Sequence, residues 1–292
     1  MAHTGTELLQ LLPGVLRARD FHLYLDGGKR ITDLWRWGGR AVLGHKPPKV
    51  LMEMKNAAER GLFCPLPHPL QQRFTKALLE FFPGRAFRLY RDESSLRRAL
   101  ADAGLVATAE SALYDPVFPQ PATVLQGNEP AKVSLWRPFL AVADTAIVDP
   151  AVLVPVLPCP LGPAALVLPA GADTSFPPGD IIPPVLLAAA ARALYNLAAV
   201  QKSVSANRDW PDYPKLRKAL SAPRQTGQCT WQRRGIYLTL AQPDMDGEKY
   251  EALFRRFLEG GFLIPPEATE PLILPLTMSA GEEAKLAQIL AI

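Results

Sequence analysis

Along this chain the spacing of apolar positions changes several times, and each change predicts an element. Residues 5–18 read as a short amphipathic helix or coil. In "FHLYLDGGKRITDLW" apolar residues alternate on both sides of Asp26-Gly27-Gly28, residues suited to a turn with positive φ, so two short strands are expected to pair as a hairpin. After Pro47-Pro48, "KVLMEMKNAAERG" puts Val50, Met54 and Ala57 or Ala58 on one stripe before Gly61, which predicts a helix. "HPLQQRFTKALLEFFPG" repeats the pattern with Leu70, Phe74, Leu78 and Phe81 or Phe82, stopped by Pro83-Gly84. A strand "AFRLY" and a helix "DESSLRRALADAG" follow, with Asp92 or Ser94 as its cap.

The middle reads as apolar strands cut by prolines, "FLAVADTAIV" and "AALVLPAG", followed by the alanine-rich helix "PVLLAAAARALYNLAAV". That pattern suits buried strands covered by helices. From Gly235 the texture changes to strand "GIYLTL", helix "DGEKYEALFRRFLEGG", strand-like "EPLILPLT" and helix "GEEAKLAQILA", a compact α+β tail.

Composition narrows the function classes. With 292 residues, 48% hydrophobic and 21% charged, the chain is expected to fold as one large or two modest domains. Ten of its 30 prolines fall between Pro150 and Pro184, and six of them interrupt the apolar stretch 150–170, so no membrane span of about 20 residues is expected there. The start "MAHTGTELLQLLPG" has no basic leader pattern, which points to the cytoplasm. A net charge of +4, spread thinly, gives no nucleic-acid surface. Cys64, Cys159 and Cys229 read as small buried hydrophobes, and neither they nor His3, His22, His45 and His68 have metal-pair spacing. Hydrolase signatures are missing, and a nucleophilic Cys159 has no histidine after His68 to activate it.

The stretch "YLDGGKRITDLWRWGGRAVLGHKPPKVLMEMKNAAERG" resembles the opening of the class III aminotransferases, pyridoxal phosphate enzymes of fold type I, and the glutamate-1-semialdehyde aminomutases most of all. The likeness continues through "LQQRFTKALLEFFPG" and returns in "YEALFRRFLEGGFLIPPEATEPLILPLTMSAGEEAKLAQIL", together about half of the chain. It implies an α/β fold: a reduced aminotransferase-like large domain with a small α+β domain. Residues 1–44 would be an N-terminal segment with a β-hairpin packing on the small domain, 45–220 the reduced large domain and 221–292 the small domain. It also places Trp35, Trp37 and Gly38 at the mouth of a substrate pocket; read without it, both tryptophans are core and interface aromatics.

Chemistry of that family needs a Schiff-base lysine, an acid on the pyridinium nitrogen and a backbone cup for the phosphate. There is no lysine from Val133 to Gln201; Lys132 precedes the expected place and Lys202 follows the helix. The cup corresponds to Asp92-Glu93-Ser94-Ser95, whose carboxylates would repel a dianion and are ordinary in a helix first turn. Asp144 matches the acid, or is a turn residue; Tyr114 stands in for the stacking aromatic; and "GDIIPPVLLAAAARAL" keeps the proline but not the threonine and glycine of a phosphate-touching turn. The interval between cup and C-terminal domain is also shorter than the family's.

The resulting expectation is an aminotransferase-like protein without pyridoxal phosphate catalysis: no catalytic residue, no cofactor and no metal. Trp35, Trp37, Gly38 and Asp144 would form a residual pocket, and Asp92, Glu93, Ser94 and Ser95 a degenerate cup. Expected partners are a second copy or an active relative, and a small-molecule ligand, with neither nucleic acid nor membrane. The alternative is a divergent pyridoxal phosphate aminotransferase or aminomutase that holds its cofactor non-covalently or through another lysine.

Overall fold

The computed structural model describes residues 5–118, 133–140, 152–172, 176–207, 211–223, 229–242 and 245–291. Helix α1 (Gly5–Leu9) leads to β1 (Val15–Arg19), β2 (His22–Leu25) and β3 (Arg30–Asp33), then α2 (Val50–Glu59), α3 (Leu70–Leu79), β4 (Ala86–Tyr90) and α4 (Glu93–Asp102). Next come β5 (Val133–Trp136), β6 (Val152–Pro155), β7 (Ala164–Leu168), α5 (Pro184–Asn207) and α6 (Pro214–Ser221). The remainder holds β8 (Trp231–Arg234), β9 (Tyr237–Leu240), α7 (Gly247–Glu259), β10 (Phe262–Leu263), β11 (Leu272–Ile273) and α8 (Ala280–Leu290).

The hairpin around Asp26 is present: β2 and β3 pair antiparallel across Gly27 and Gly28, whose φ values of 79° and 80° glycine adopts without strain. Residues 15–19, however, form a strand on the outer edge of β2 rather than helix or coil. Four of the five face solvent, so no alternation betrayed the strand. On the other edge β10 joins β3 in parallel, so the chain's two ends share one sheet, β1-β2-β3-β10.

A second sheet, β4-β7-β6-β5, carries the middle of the chain. Every residue of β7 is buried, because successive side chains enter different cores. Ala165 and Val167 meet Phe74 and Leu78 of α3 and Leu187 and Leu194 of α5; Ala164, Leu166 and Leu168 meet Leu96 and Leu100 of α4. The continuous apolar run read as a buried strand is therefore the product of helices on both faces. Helix α5 contains the apolar stretch Pro184–Val204, long enough to cross a membrane, and displaces 150–170 as the strongest such candidate. It serves as a core element: 61% of its apolar window is buried, and its small residues Ala188–Ala191 let α2 and α3 pack closely.

The third sheet, β11-β9-β8, contains a hairpin of which only the second strand was predicted, since β8 reads "WQRR". It packs into one core with the N-terminal hairpin: Leu23, Leu25 and Ile31 join Ile236, Leu238, Phe254, Phe257 and Phe262. Leu216 joins the same core, and α6, grouped with the large domain by a boundary at 220, packs against α8.

Glu282 ties the ends together. It forms a capping box with Ser279 at the start of α8, while its other oxygen accepts from His22 Nε2 at 2.8 Å and Thr32 Oγ1 at 3.3 Å. Burial works against its charge, but the bonds from Ser279 and His22 prevail and pull its pKa from 4.5 down to about 2. A carboxyl depressed in the folded state contributes stability above its unfolded pKa and loses it as pH falls. Stability is therefore expected to decline between about pH 4.5 and 2, and Glu282→Gln to flatten that decline while lowering neutral-pH stability by roughly 1 kcal/mol. Urea unfolding across the pH range checks both.

Candidate functional site

A cavity of about 950 Å³ lies between the turn after β3, the first turns of α4, the 109–118 segment, β5, β6 and residues 267–270. Its mouth is built from Asp33 outward. Buried at the end of β3, Asp33 accepts from the backbone N–H of Trp35 (2.9 Å) and Arg36 (2.8 Å) and pairs with His45 Nε2 (2.9 Å). Arg36, Trp37, Gly38 and Gly39 then run through positive φ (48°, 52°, 63° and 107°), a conformation costing roughly 1–2 kcal/mol for each non-glycine. The Arg36 guanidinium holds this turn from beneath, fully buried, donating to the carbonyls of Asp33, Val42 and Ile273 and lying 4.4 Å from the Phe21 ring centre. Burial pulls its pKa down to about 10. At Gly39 a Cβ would meet Val156 Cγ1 at 3.2 Å, so only glycine combines that backbone with this wall.

The turn turns the two tryptophans toward the cavity. Their rings stack 6.0 Å apart at 7°, and Trp37 is 60% exposed, which sets aside the core reading for that residue. Trp35 is half-buried and donates its indole N–H to Glu270 at 2.5 Å. Burial, reinforced by Glu267, holds the Glu270 carboxyl above the ordinary range against that hydrogen bond. Gly38 gives its carbonyl to Arg137 (2.8 Å), which pairs with Asp115 through two donors, the shorter at 2.7 Å.

The opposite wall is α4. Asp92 is its cap, as one of the two sequence candidates, accepting from Ser95 N at 2.7 Å, which pulls its pKa down; Ser94 lines the cavity without capping. Glu93 is bridged by Arg40 (2.8 Å) and Arg97 (2.9 Å). Trp35, Trp37, Gly38, Glu93, Ser94 and Tyr114 thus share one cavity; Asp92 and Ser95 belong to the cap; Asp144 lies outside the described residues. Arg40, Arg97, Asp115, Arg137 and Glu270 are not singled out by the sequence, although Arg40 lies in the aromatic-glycine turn, Arg97 in the stretch read as α4 and Asp115 beside Tyr114.

The cysteines divide. Cys159 is buried and its thiol is pushed up to about 11 by burial, which disfavours the thiolate; Cys64 is exposed, contrary to its reading as a buried hydrophobe, because it falls in the loop between α2 and α3. Among the described residues no three His, Cys, Asp or Glu side chains gather as metal ligands.

The architecture matches an aminotransferase-like fold, as superposition shows. The ornithine aminotransferase of Toxoplasma gondii superposes with a TM-score of 0.66 over 95% of this chain and 89% of that one, at 14% identity. An omega-transaminase from Sphaerobacter thermophilus gives 0.64 over 96% and 90%, at 12% identity, and the N-acetylornithine aminotransferase of Stenotrophomonas maltophilia 0.60 over 98% and 97%, at 14%. At such identities the likeness is one of fold. In sequence, an uncharacterized protein of Treponema pallidum (strain Nichols) is 29% identical over 304 residues, covering 92% of this chain and 91% of that protein. An uncharacterized protein of Borreliella burgdorferi is 37% identical over 75 residues, 26% of this chain and 28% of that protein. No family model matches the chain.

Proposed function

We propose that this protein is a pseudoenzyme: an aminotransferase scaffold, resembling the glutamate-1-semialdehyde aminomutases in sequence, that has lost pyridoxal phosphate catalysis and binds a small molecule in the cavity behind Trp35 and Trp37. The observation that carries this reading is the donor set. No lysine lines the cavity among the described residues, and Glu93 places a carboxylate where the resemblance puts the phosphate cup. That set does not fit pyridoxal phosphate, since a Schiff base needs an amine, and the two guanidinium groups that could hold its phosphate are engaged by Glu93. What the cavity offers instead is an exposed aromatic face at its mouth and fixed charges within, suited to reversible binding of a small polar ligand.

The protein is proposed to act in the cytoplasm and to self-associate or to pair with an active relative. Exposed Leu51 and Met52 on α2 and Phe63 and Leu66 beyond it support an interface there.

Titration of the purified protein with pyridoxal 5′-phosphate, followed by borohydride reduction and peptide mapping, tests the reading. The expected result is no saturable Schiff-base absorbance and no site-specific adduct, from a protein whose light-scattering mass is that of a dimer. A single lysine labelled stoichiometrically would restore the divergent-enzyme alternative.

A further inference from the structure

Three arginines, Arg40, Arg97 and Arg98, line the cavity, and the Glu93 carboxylate stands between the first two. Glu93 divides its oxygens: Oε2 accepts from Arg40 Nη2 at 2.8 Å and Oε1 from Arg97 Nε at 2.9 Å. The Glu93 side chain is 44% exposed, but both guanidinium groups that bridge it are held in place. The Arg40 side chain is only 17% exposed, and Arg97 is braced by a second bond to the Ser111 carbonyl at 3.1 Å. Burial works against the charge on Glu93, yet the two guanidinium groups hold its pKa below the ordinary carboxylate range. Arg40 comes from the turn after β3, whereas Glu93 and Arg97 come from α4, so the carboxylate joins two walls of the cavity.

We propose that Glu93 is a built-in counter-anion that fills, from within the chain, the seat a phosphate group would take between Arg40 and Arg97, and so sets the cavity against phosphorylated ligands. This rests on the reading above only in treating the cavity as the binding site. Two guanidinium groups converging on two oxygens is the arrangement that recognises phosphate as well as carboxylate. While Glu93 is ionised, an incoming phosphate meets a like charge in the seat and finds both arginines taken. Without that carboxylate, Arg40 and Arg97 lose the anion they share beside Arg98, and a bound phosphate takes its place.

Isothermal calorimetry of the full chain with inorganic phosphate decides the matter. Glu93→Ala is expected to bind phosphate at least ~10-fold more tightly than the unmodified protein, and Arg40→Ala combined with Glu93→Ala to lose that gain. Glu93→Gln keeps the side chain's shape without its charge; it is expected to show a smaller gain in the same direction and serves if the alanine variant does not fold. Equal phosphate affinity in the unmodified protein and in the folded variants, or a gain that survives removal of Arg40, overturns the proposal. A Schiff base formed by the unmodified protein would sink the pseudoenzyme reading but leave a Glu93-dependent phosphate gain standing, so the two failures are distinguishable.

Discussion

Arg137→Met is expected to lower the unfolding free energy by about 3–5 kcal/mol, because it leaves a partner charge behind in a buried place. The Arg137 and Asp115 side chains are 6% and 12% exposed, and their bond is two-pronged, with Nη1 left to hold the Gly38 carbonyl. Burial opposes the charge on Arg137, but Asp115 outweighs it and holds the guanidinium above its ordinary value. Removal of the arginine therefore strands the Asp115 carboxylate and frees the aromatic-glycine turn on the cavity's rim. Removing both charges, as Arg137→Met with Asp115→Leu, is expected to recover most of the loss, since a buried pair and an apolar replacement of similar volume are close in stability. Urea unfolding of the two single variants and the double gives the coupling directly. A single variant within about 1 kcal/mol of the parent would show that water reaches the pair and screens it.

Phe257→Ala is the second large effect, again about 3–5 kcal/mol, from the lost transfer energy of a fully buried ring and the void it leaves. Phe257 lies on α7 and meets the Trp231 ring edge-on with centroids 6.0 Å apart. Its cluster also contains Leu23 and Ile31 of the N-terminal hairpin, so the damage should not remain in the C-terminal elements. Hydrogen exchange is expected to quicken in β2 and β3 along with α7. If only the C-terminal amides respond, the core shared by the two ends of the chain does not act as one cooperative unit.

The parts of this protein legible in its sequence are those determined by neighbours a few residues apart. Asp26-Gly27-Gly28 announces a turn because the residues themselves supply the positive φ, and Leu70, Phe74 and Leu78 announce a helix because its period brings them to one side. Asp92 could be named as one of two caps because its partner, the Ser95 amide, is three residues away. The aromatic-glycine turn at Trp35, Trp37 and Gly38 is placed at a pocket mouth only by its resemblance to the class III aminotransferases; read from the residues alone, both tryptophans are core and interface aromatics.

Tertiary structure alone decided the rest. Edge strand β1 and the polar strand β8 carry no alternation, and are strands because β2 and β9 offer them hydrogen bonds. Glu93 bonds to Arg40 across 53 positions of chain, and Trp35 to Glu270 across 235. A charged residue in the sequence looks the same whether it meets water or a buried counter-charge, so neither the bridged carboxylate nor the Arg137–Asp115 pair could be read in advance. Local sequence determined which elements form, through backbone preference and periodicity. Only the packing of distant elements brought opposite charges close and screened them from solvent, and that is what gave the cavity its chemistry.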